Sequence, residues 1–336
     1  MANLKTGEAF DMSTLSASSL SYIFDEGERV SQTSSNFSVR YTDVEFGYTE
    51  TLVFKGTLGG YSNGFPTTGT VTSFDYLIDT DAAIQIAGMS LAVSDLTAYI
   101  QEDDVQGLFA DILSGNDVLT GSSFNDYLSA FDGDDKLSGG AGTDRLNGGG
   151  GNDLYMVNSS SDRAIEAVGG GTDSVRSTAT FTLGGNVENL TLTGIANIGG
   201  TGNGLANKVI GNGGANTLNG GGGKDQLTGG AGADKFLFDA LLRAANVDDI
   251  LDFSAADDTI RLDRTVFTNI LADGTLARAA FVAGTAAVDA ADRIVYDQAT
   301  GNIFYDSDGN GAAAKILFAH VDPGTVLTNA DFFAVI

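Results

Sequence analysis

Two consecutive nine-residue segments carry the clearest signal in the chain: GGAGTDRLN at residues 139–147 and GGGGNDLYM at residues 148–156. Each has glycine at the first, second and fourth positions, aspartate at the sixth and an apolar side chain at the eighth. The same pattern returns in GGGGKDQLT (220–228) and GGAGADKFL (229–237). Glycine tolerates the positive φ of tight turns. A fixed nine-residue interval between such turns therefore indicates a repeat architecture.

The interval extends outward from these segments into two runs of units. In the first run, the sixth position is held by Asp117, Asp126, Asp135, Asp144 and Asp153, and the eighth by Leu119, Leu128, Leu137, Leu146 and Tyr155. In the second run, the sixth position is held by Asn207, Asn216, Asp225 and Asp234, and the eighth by Val209, Leu218, Leu227 and Phe236. A flexible glycine-rich linker would need neither this interval nor the regular apolar residues.

The pattern G-G-x-G-x-D-x-U-x, with U apolar, resembles the hemolysin-type (RTX) calcium-binding repeat of secreted Gram-negative proteins. The resemblance implies an all-β fold, a parallel β-roll or β-solenoid in which six residues of each unit turn and three form a strand. Two units then make one coil. It also implies several Ca²⁺ ions, bound between turns that lie one coil, or two nine-residue units, apart.

Calcium prefers about six to eight hard oxygen ligands, which carboxylates and backbone carbonyls supply. We therefore predict ligands among the sixth-position side chains and the turn residues. In the first run these are Asp117, Asp126, Asp135, Gly139, Ala141, Gly142, Asp144, Gly148, Gly150, Gly151 and Asp153. In the second run they are Asn207, Asn216, Gly220, Gly222, Asp225, Gly229, Ala231 and Asp234.

Stacking by one coil predicts which side chains meet. The pairs are Asp117 with Asp135, Asp126 with Asp144, Asp135 with Asp153, Asn207 with Asp225, and Asn216 with Asp234. The two pairs with asparagine have lost one charge each, so weaker calcium binding is predicted there. Early units also depart from the pattern, since Phe124, Ala130 and Phe131 replace glycines. The first sites are therefore expected to be irregular.

Composition agrees with a cation-dependent fold. The chain of 336 residues carries 17 Lys and Arg against 44 Asp and Glu, a formal net charge of -27. Such a surface repels nucleic acid and anionic lipid, so neither is an expected partner. Cysteine is absent, which excludes disulfides and thiolate metal sites. No apolar stretch reaches the length of about 18 residues that a membrane-spanning helix needs.

Two β-rich segments are predicted ahead of residue 239. Residues 1–113 are interpreted as an N-terminal cap or recognition domain, with alternating apolar residues at 37–41 and 74–78 and a short helix from about Asp104. Residues 114–238 are the predicted roll. It comprises repeats at 114–156 and 202–237 and a spacer at 157–201, which is expected to continue the solenoid without calcium.

Residues 239–336 resemble the C-terminal β domain of serralysin-type proteases and other RTX proteins. In that family this domain caps the roll and carries an uncleaved signal for the type I secretion machinery. Asp331 followed by FFAVI (332–336) fits such a signal, and the N-terminal residues lack the features of a cleavable signal peptide. The resemblance thus implies a secreted or cell-surface protein of a Gram-negative bacterium, exported unfolded and folded by external calcium.

No catalytic activity is predicted. The H-E-x-x-H motif of serralysins is absent, and His320 is the only histidine. GYSNG at 60–64 fits G-x-S-x-G, but its surroundings predict a loop between strands instead of the strand-to-helix turn that a nucleophilic serine requires. DSDGNG at 306–311 is similar to the start of an EF-hand loop and is interpreted as a turn or a minor calcium site.

These observations favour a structural role: an adhesive, surface-layer or matrix component that assembles with itself or binds cell-surface polysaccharide. The first alternative is a small secreted enzyme that acts on polysaccharide or lipid through residues 1–113. The second is a pore-forming toxin, which is disfavoured because no long apolar or amphipathic helix precedes the repeats.

Overall fold

A computed structural model describes residues 3–6, 28–32, 36–43, 48–62, 65–78, 81–92, 95–96 and 105–336. The chain divides into two compact units, residues 1–172 and 173–336. The described residues are nearly all β, and the roll strands pair in parallel, as predicted. No helix among these residues is long and apolar enough to cross a membrane.

The first unit joins an antiparallel sheet to the first coils of the roll. Its elements are β1 (Asn3–Thr6), β2 (Glu28–Gln32), β3 (Asn36–Asp43), β4 (Tyr48–Ser62), β5 (Phe65–Ile78), β6 (Asp81–Ala92), α1 (Val105–Ile112), β7 (Val118–Thr120), β8 (Tyr127–Ser129), β9 (Lys136–Ser138), β10 (Arg145–Asn147), β11 (Leu154–Val157) and β12 (Arg163–Ile165). One sheet has the order β2-β3-β4-β5-β6-β1-β7-β9-β11, and a second has the order β8-β10-β12.

Strand β1 links the N-terminal sheet to the roll. It pairs antiparallel with β6 and parallel with β7, so that Leu4 lies opposite Leu119. An uncovered edge strand presents unpaired backbone groups and invites aggregation. The N-terminal sheet therefore occupies the edge of the first roll strand.

The second unit contains further parallel coils and a strand-rich C-terminal region. Its strands are β13 (Ser174–Ser177), β14 (Phe181–Thr182), β15 (Asn189–Leu192), β16 (Gly199–Thr201), β17 (Lys208–Ile210), β18 (Thr217–Asn219), β19 (Gln226–Thr228), β20 (Lys235–Phe238), β21 (Asp248–Ile250), β22 (Thr259–Asp263), β23 (Gly274–Thr275), β24 (Phe281–Ala283), β25 (Ile294–Asp297), β26 (Asn302–Tyr305), β27 (Ile316–His320) and β28 (Phe332–Val335). Short 3-10 helices cover Arg278–Ala280 and Asn329–Asp331.

These strands form two faces. One has the order β13-β15-β17-β19-β21-β27-β26-β25-β24, with the first six strands parallel. The other has the order β14-β16-β18-β20-β22-β28-β23, in which only the last pair is antiparallel. The C-terminal strand β28 is thus part of a roll face.

The eighth-position side chains form the core of the coils. Every one of them is fully buried: Leu119, Leu128, Leu137, Leu146, Tyr155, Val209, Leu218, Leu227 and Phe236. Strands one coil apart align these residues directly, with Leu128 opposite Leu146 and Val209 opposite Leu227. Burying one such side chain stabilises a fold by about 1.5–3 kcal/mol.

The coils extend further than the predicted repeat boundaries. Strand β12, at 163–165 in the predicted spacer, pairs with β10, as expected for a spacer that continues the solenoid. Strands β21 and β22 pair with β19 and β20, so the roll does not end at residue 238. Within the second unit, the β13–β15 and β14–β16 pairs show that this part of the spacer is also coiled. Apolar residues two positions after an acidic residue persist in several of these strands although the glycines are lost.

The structure also resolves three local predictions. α1 is a helix with Leu108 and Phe109 buried, and β3 and β5 cover the alternating stretches, so these predictions are confirmed. Ser62 ends β4 and lies opposite Phe65 of β5, which makes its surroundings a β-hairpin. In the DSDGNG segment, the Asp308 backbone N–H donates to Asp306 and Gly309 has φ +68°, which is a turn between β26 and β27.

Candidate calcium sites

The sixth-position side chains stack as a ladder along the coils. In every predicted pair, the backbone N–H of the earlier residue donates to Oδ1 of the aspartate 18 residues later. The N–O distances are 2.6 Å for Asp117–Asp135, 2.9 Å for Asp126–Asp144, 2.8 Å for Asp135–Asp153, 2.7 Å for Asn207–Asp225 and 2.7 Å for Asn216–Asp234. The structure thus brings together all the side chains that the nine-residue interval paired.

The second carboxylate oxygen distinguishes the turns. The Oδ2 atoms of Asp135, Asp144, Asp225 and Asp234 are buried, and among the described residues no donor hydrogen-bonds to them in the folded geometry. The Asp225 carboxyl group also contacts that of Asp248. All four residues are at most 3% exposed. A buried, ionised carboxylate oxygen without a partner is strongly unfavourable in a protein interior. These four oxygens therefore require a cation or a proton.

Whether the second carboxylate oxygen stays without a hydrogen bond depends on the backbone of one residue. That residue lies four positions before the aspartate, at the second position of the unit. Its φ is +69° at Phe131, +86° at Gly140, +85° at Gly221 and +89° at Gly230. We call these four turns, which end at Asp135, Asp144, Asp225 and Asp234, the open turns. Left-handed backbone favours glycine because it has no Cβ. The second glycine of the repeat thus serves to keep the carboxylate available.

In other units, a backbone N–H of the same turn already donates to this carboxylate or amide oxygen. In these units, the backbone N–H of the second-position residue donates to the side chain of the sixth-position residue. The N–O distances are 2.7 Å for Ser122–Asp126, 2.7 Å for Asn203–Asn207, 2.8 Å for Asn212–Asn216 and 2.8 Å for Ser254–Asp258. The turn ending at Asp162 is alike, with the N–H of Asn158 at 3.1 Å. We call these the closed turns. They satisfy their own polar groups without an ion.

The asparagine side chains of the second run also donate hydrogen bonds to backbone carbonyl groups. The Asn207 amide donates to the carbonyl of Val187 at 3.0 Å, and the Asn216 amide donates to the carbonyl of Ile198 at 2.9 Å. These amides therefore hold backbone carbonyls that would otherwise be available to an ion. The geometry supports the prediction of weaker calcium binding at these two positions, which stays a prediction.

The glycines predicted as ligands lie around the open carboxylates. A side chain at Gly139, Gly220 or Gly229 would overlap Oδ2 of the aspartate in the same unit, so only glycine leaves this space. Gly148 lies in the same way against Asp153. The first-position carbonyls of Gly139, Gly220 and Gly229 point toward the turn of the preceding coil. All the candidate ligand atoms in these turns are oxygens, which fits a hard cation such as Ca²⁺.

The remaining predicted turn residues have their backbone groups engaged between coils. The N–H of Ala141 donates to Ser122, that of Gly150 to Phe131 and that of Gly222 to Asn203. Gly142 and Gly151 have φ of +131° and +126°. Ala231 belongs to the open turn that ends at Asp234. These positions set the stacking of the turns, and their carbonyls stay predicted ligands.

Crowding of acidic groups changes their protonation. Burial, reinforced by the charges of Asp153 and Asp117, raises the pKa of Asp135 to about 7. Burial, with the charges of Asp162 and Asp126, raises the pKa of Asp144 to about 6. The pKa values of Asp153 and Asp234 are raised by burial as well. Without a cation, these aspartates thus become protonated at a higher pH than an ordinary aspartate does.

Sequence reasoning missed further ladder residues, among them Asp162, Asp248 and Asp258. Asp162, Asp248 and Asp258 are at most 7% exposed, and each accepts a backbone N–H through Oδ1: from Asp144 at 3.0 Å, from Asp225 at 3.1 Å and from Asp234 at 2.9 Å. Burial and the charge of Asp225 raise the pKa of Asp248. Asp162 follows Asp153 by nine residues, so the interval could have found it. Asp248 and Asp258 lie 23 and 24 residues after their partners, which a strict nine-residue interval excludes.

Glu166 was also missed. Tyr155 takes an eighth position that is leucine in the four preceding units, and its buried hydroxyl donates to the Glu166 carboxylate and accepts the N–H of Gly148 at 2.8 Å. Glu166 also contacts the side chain of Asp153. A buried tyrosine hydroxyl needs a polar partner, and that requirement was the available signal. Glu166 adds a carboxylate beside the Asp153 turn.

Phe131 offers a direct test of the open-turn geometry. A residue with a Cβ in left-handed conformation costs about 1–2 kcal/mol, and glycine recovers this at an entropic cost of about 0.5–1 kcal/mol. In calcium, Phe131→Gly should therefore raise the free energy of unfolding by about 0.5–1 kcal/mol. Urea unfolding followed by circular dichroism measures it.

The matched control is Phe124→Gly. Phe124 is 54% exposed, lies in a closed turn and does not have a positive φ. Glycine there only adds freedom to the unfolded chain, so stability should fall slightly. Equal effects of the two substitutions would show that left-handed backbone at residue 131 carries no strain.

Comparison with known proteins agrees with this geometry. The family model of the RTX calcium-binding nonapeptide repeat matches the chain in four copies, over residues 112–146, 132–155 and 201–236. No curated protein matches the chain. The matched residues contain all four open turns. Asp248 and Asp258 lie beyond the matched ranges.

Proposed function

As an RTX hemolysin-type calcium-binding protein, this chain binds Ca²⁺ through its repeats, and we propose that ion binding folds it outside the cell into a structural or adhesive surface component. The observation that carries the proposal is the set of buried Oδ2 atoms in the four open turns. They make the coils unfavourable without a cation. Metal binding and folding are then one equilibrium.

Export is proposed to precede folding. The segment 332–336, which resembles a type I secretion signal, is partly buried in the folded second unit. Phe332 and Ala334 of β28 are at most 1% exposed and pair with β22. The Asp331 carboxylate accepts the Thr328 N–H at 2.6 Å in a capping box. Secretion machinery would read this segment only in an unfolded chain, which low cytosolic calcium supports.

The proposed role involves no catalysis. Ser62, the candidate nucleophile, lies at a β-hairpin, whereas a nucleophile elbow joins a strand to a helix. Repeats and their extensions occupy most of the described chain. A surface component acts through shape, rigidity and binding faces, which stacked coils supply. Self-assembly or binding to cell-surface polysaccharide is the proposed mode of attachment.

The test is light scattering of the full-length chain, titrated from chelator to about 10 mM calcium, above the affinities of extracellular calcium modules. We expect contraction of the chain as calcium fills the open turns, followed by growth into large particles. The same titration with added cell-wall polysaccharide would show attachment by co-sedimentation.

Two outcomes would contradict the proposal. A chain that stays equally compact in chelator and calcium would contradict ion-driven folding. A chain that contracts to a stable monomer, without affinity for cells or polysaccharide, would contradict the structural role. That second result would favour the alternative of an enzyme in residues 1–113, to be tested on a panel of polysaccharides and lipids.

A further inference from the structure

A row of cationic and aromatic side chains runs along one outer face of the first unit. In the β8-β10-β12 sheet, Tyr127, Arg145 and Arg163 occupy the same position of neighbouring strands. Leu128, Leu146 and Ala164, one residue later, are buried on the inner side. Both arginines are exposed and Tyr127 is half-buried. We call Tyr127, Arg145 and Arg163 the arginine row.

Among the described residues, the arginines of this row have no acidic partner. Neither Arg145 nor Arg163 forms an ion pair within the part of the chain that the structure describes. The nine residues of the three strands, YLS, RLN and RAI, include no carboxylate. This is unusual in a chain with a net charge of -27. Like charges at directly opposite positions destabilise a sheet, so the fold itself gains nothing from the pair.

Calcium binding would make this face more positive. Asp126, Asp144 and Asp162 directly precede the three strands, and they belong to the buried ladder. In the calcium-bound state that the proposed function assumes, the ion in the open turn of Asp144 offsets the negative charge of that residue. Arg145 and Arg163 then dominate the local potential. The inference therefore rests on the proposed function.

We propose that the arginine row binds a linear acidic polysaccharide whose uronate carboxylates pair with Arg145 and Arg163. Guanidinium groups recognise carboxylates through two parallel hydrogen bonds. Neighbouring strands lie about 4.8 Å apart, so the row presents regularly spaced cations along one line. Tyr127 at its end offers an aromatic face with a polar tip, suited to a sugar ring.

The spacing of negative charge along the polymer distinguishes this ligand from nucleic acid. Nucleic acid carries one charge per about 1.7 Å of duplex, and the acidic remainder of the chain repels it. A polysaccharide with one carboxylate per sugar is a sparser polyanion, and an extended chain can follow a single row. The row thus fits spaced carboxylates on a linear polymer.

The experiment uses the full-length chain in calcium and a hexameric oligogalacturonate, with cellohexaose as the uncharged probe. Isothermal titration should detect binding of the oligogalacturonate and none of cellohexaose. Arg145→Gln with Arg163→Gln should weaken binding about tenfold, since two exposed ion pairs are lost. The double lysine variant, Arg145→Lys with Arg163→Lys, should lie between, because it keeps charge without the bidentate geometry.

Lys136→Gln is the matched control. Lys136 is exposed at the equivalent position of β9, in the sheet that does not contain the row, and its loss should leave affinity unchanged. Circular dichroism in calcium should show the same fold for all variants. Unchanged affinity of the double glutamine variant, or no binding by a folded native chain, would overturn the arginine row. Failure to fold in calcium would instead contradict the proposed function, before any ligand is added.

Discussion

In a calcium chelator at about pH 7.5, the chain should lose most of its β-roll circular dichroism, and added calcium should restore it. Each site with a dissociation constant near 0.1 mM is worth about 2.7 kcal/mol at about 10 mM calcium. Four open turns filled together then contribute as much as the whole stability of a typical domain, about 5–15 kcal/mol. Magnesium is the control, because it is smaller and demands octahedral geometry.

Acid should partly replace calcium. The pKa of Asp135 is about 7 and that of Asp144 about 6 in the calcium-free coils, against 3.8 in the unfolded chain. Between the unfolded pKa of 3.8 and the folded values of about 6 and 7, the folded state binds more protons than the unfolded state. The free energy of unfolding therefore falls as the pH rises through this range. Lowering the pH from about 7.5 to 5 in chelator should therefore increase roll structure.

With calcium present the sign reverses. Calcium-bound carboxylates are ionised, so protons compete with the ion and the calcium midpoint of folding should rise as the pH falls. Circular dichroism titrations at several pH values measure both effects. A calcium-free chain that is folded at neutral pH, or a midpoint that falls in acid, would contradict the ion-dependent ladder.

The second large effect is expected from Asp144→Asn. This substitution keeps the shape of the side chain but removes the charge from an open turn. Losing one site should lower the free energy of unfolding by about 2–3 kcal/mol at about 10 mM calcium. Calcium titrations and urea unfolding in calcium, both followed by circular dichroism, measure the change.

Asp126→Asn is the matched control for that variant. Asp126 is in a closed turn and accepts the N–H of Ser122 at 2.7 Å, a bond that an asparagine oxygen can also accept. The second run already has asparagine in two closed turns, at Asn207 and Asn216. We therefore expect a much smaller shift for Asp126→Asn. Equal shifts at the two positions would refute the division into open and closed turns.

The repeat pattern predicted the coils and the pairing of their aspartates because both follow from one period. A parallel roll repeats its strands at a fixed interval, so Asp126 and Asp144 had to meet if the fold was right. The apolar eighth position likewise had to be the core. Fold and ladder could thus be predicted from the spacing of aspartate and leucine together with the two units per coil that the resemblance to the RTX repeat implies.

The nine-residue period could not predict features that arise where the sequence departs from it. Insertions lengthen the step from Asp225 to Asp248 to 23 residues, yet the strand pairing survives because the buried Ile250 keeps its place. The left-handed backbone of Phe131 is rare for a residue with a Cβ and is imposed by stacked neighbours. Glu166 is placed by its contact with Tyr155, which no local pattern specifies.

The position of β28 has a consequence for the order in which the protein can be built. This strand pairs with β22 and fills the face with Phe332, yet a ribosome adds its residues after those of every other strand in that sheet. The second unit therefore cannot complete this sheet until β28 has been synthesised. A ribosome-bound chain that lacks Phe332–Val335 should leave β22 exposed, whatever the calcium concentration around it.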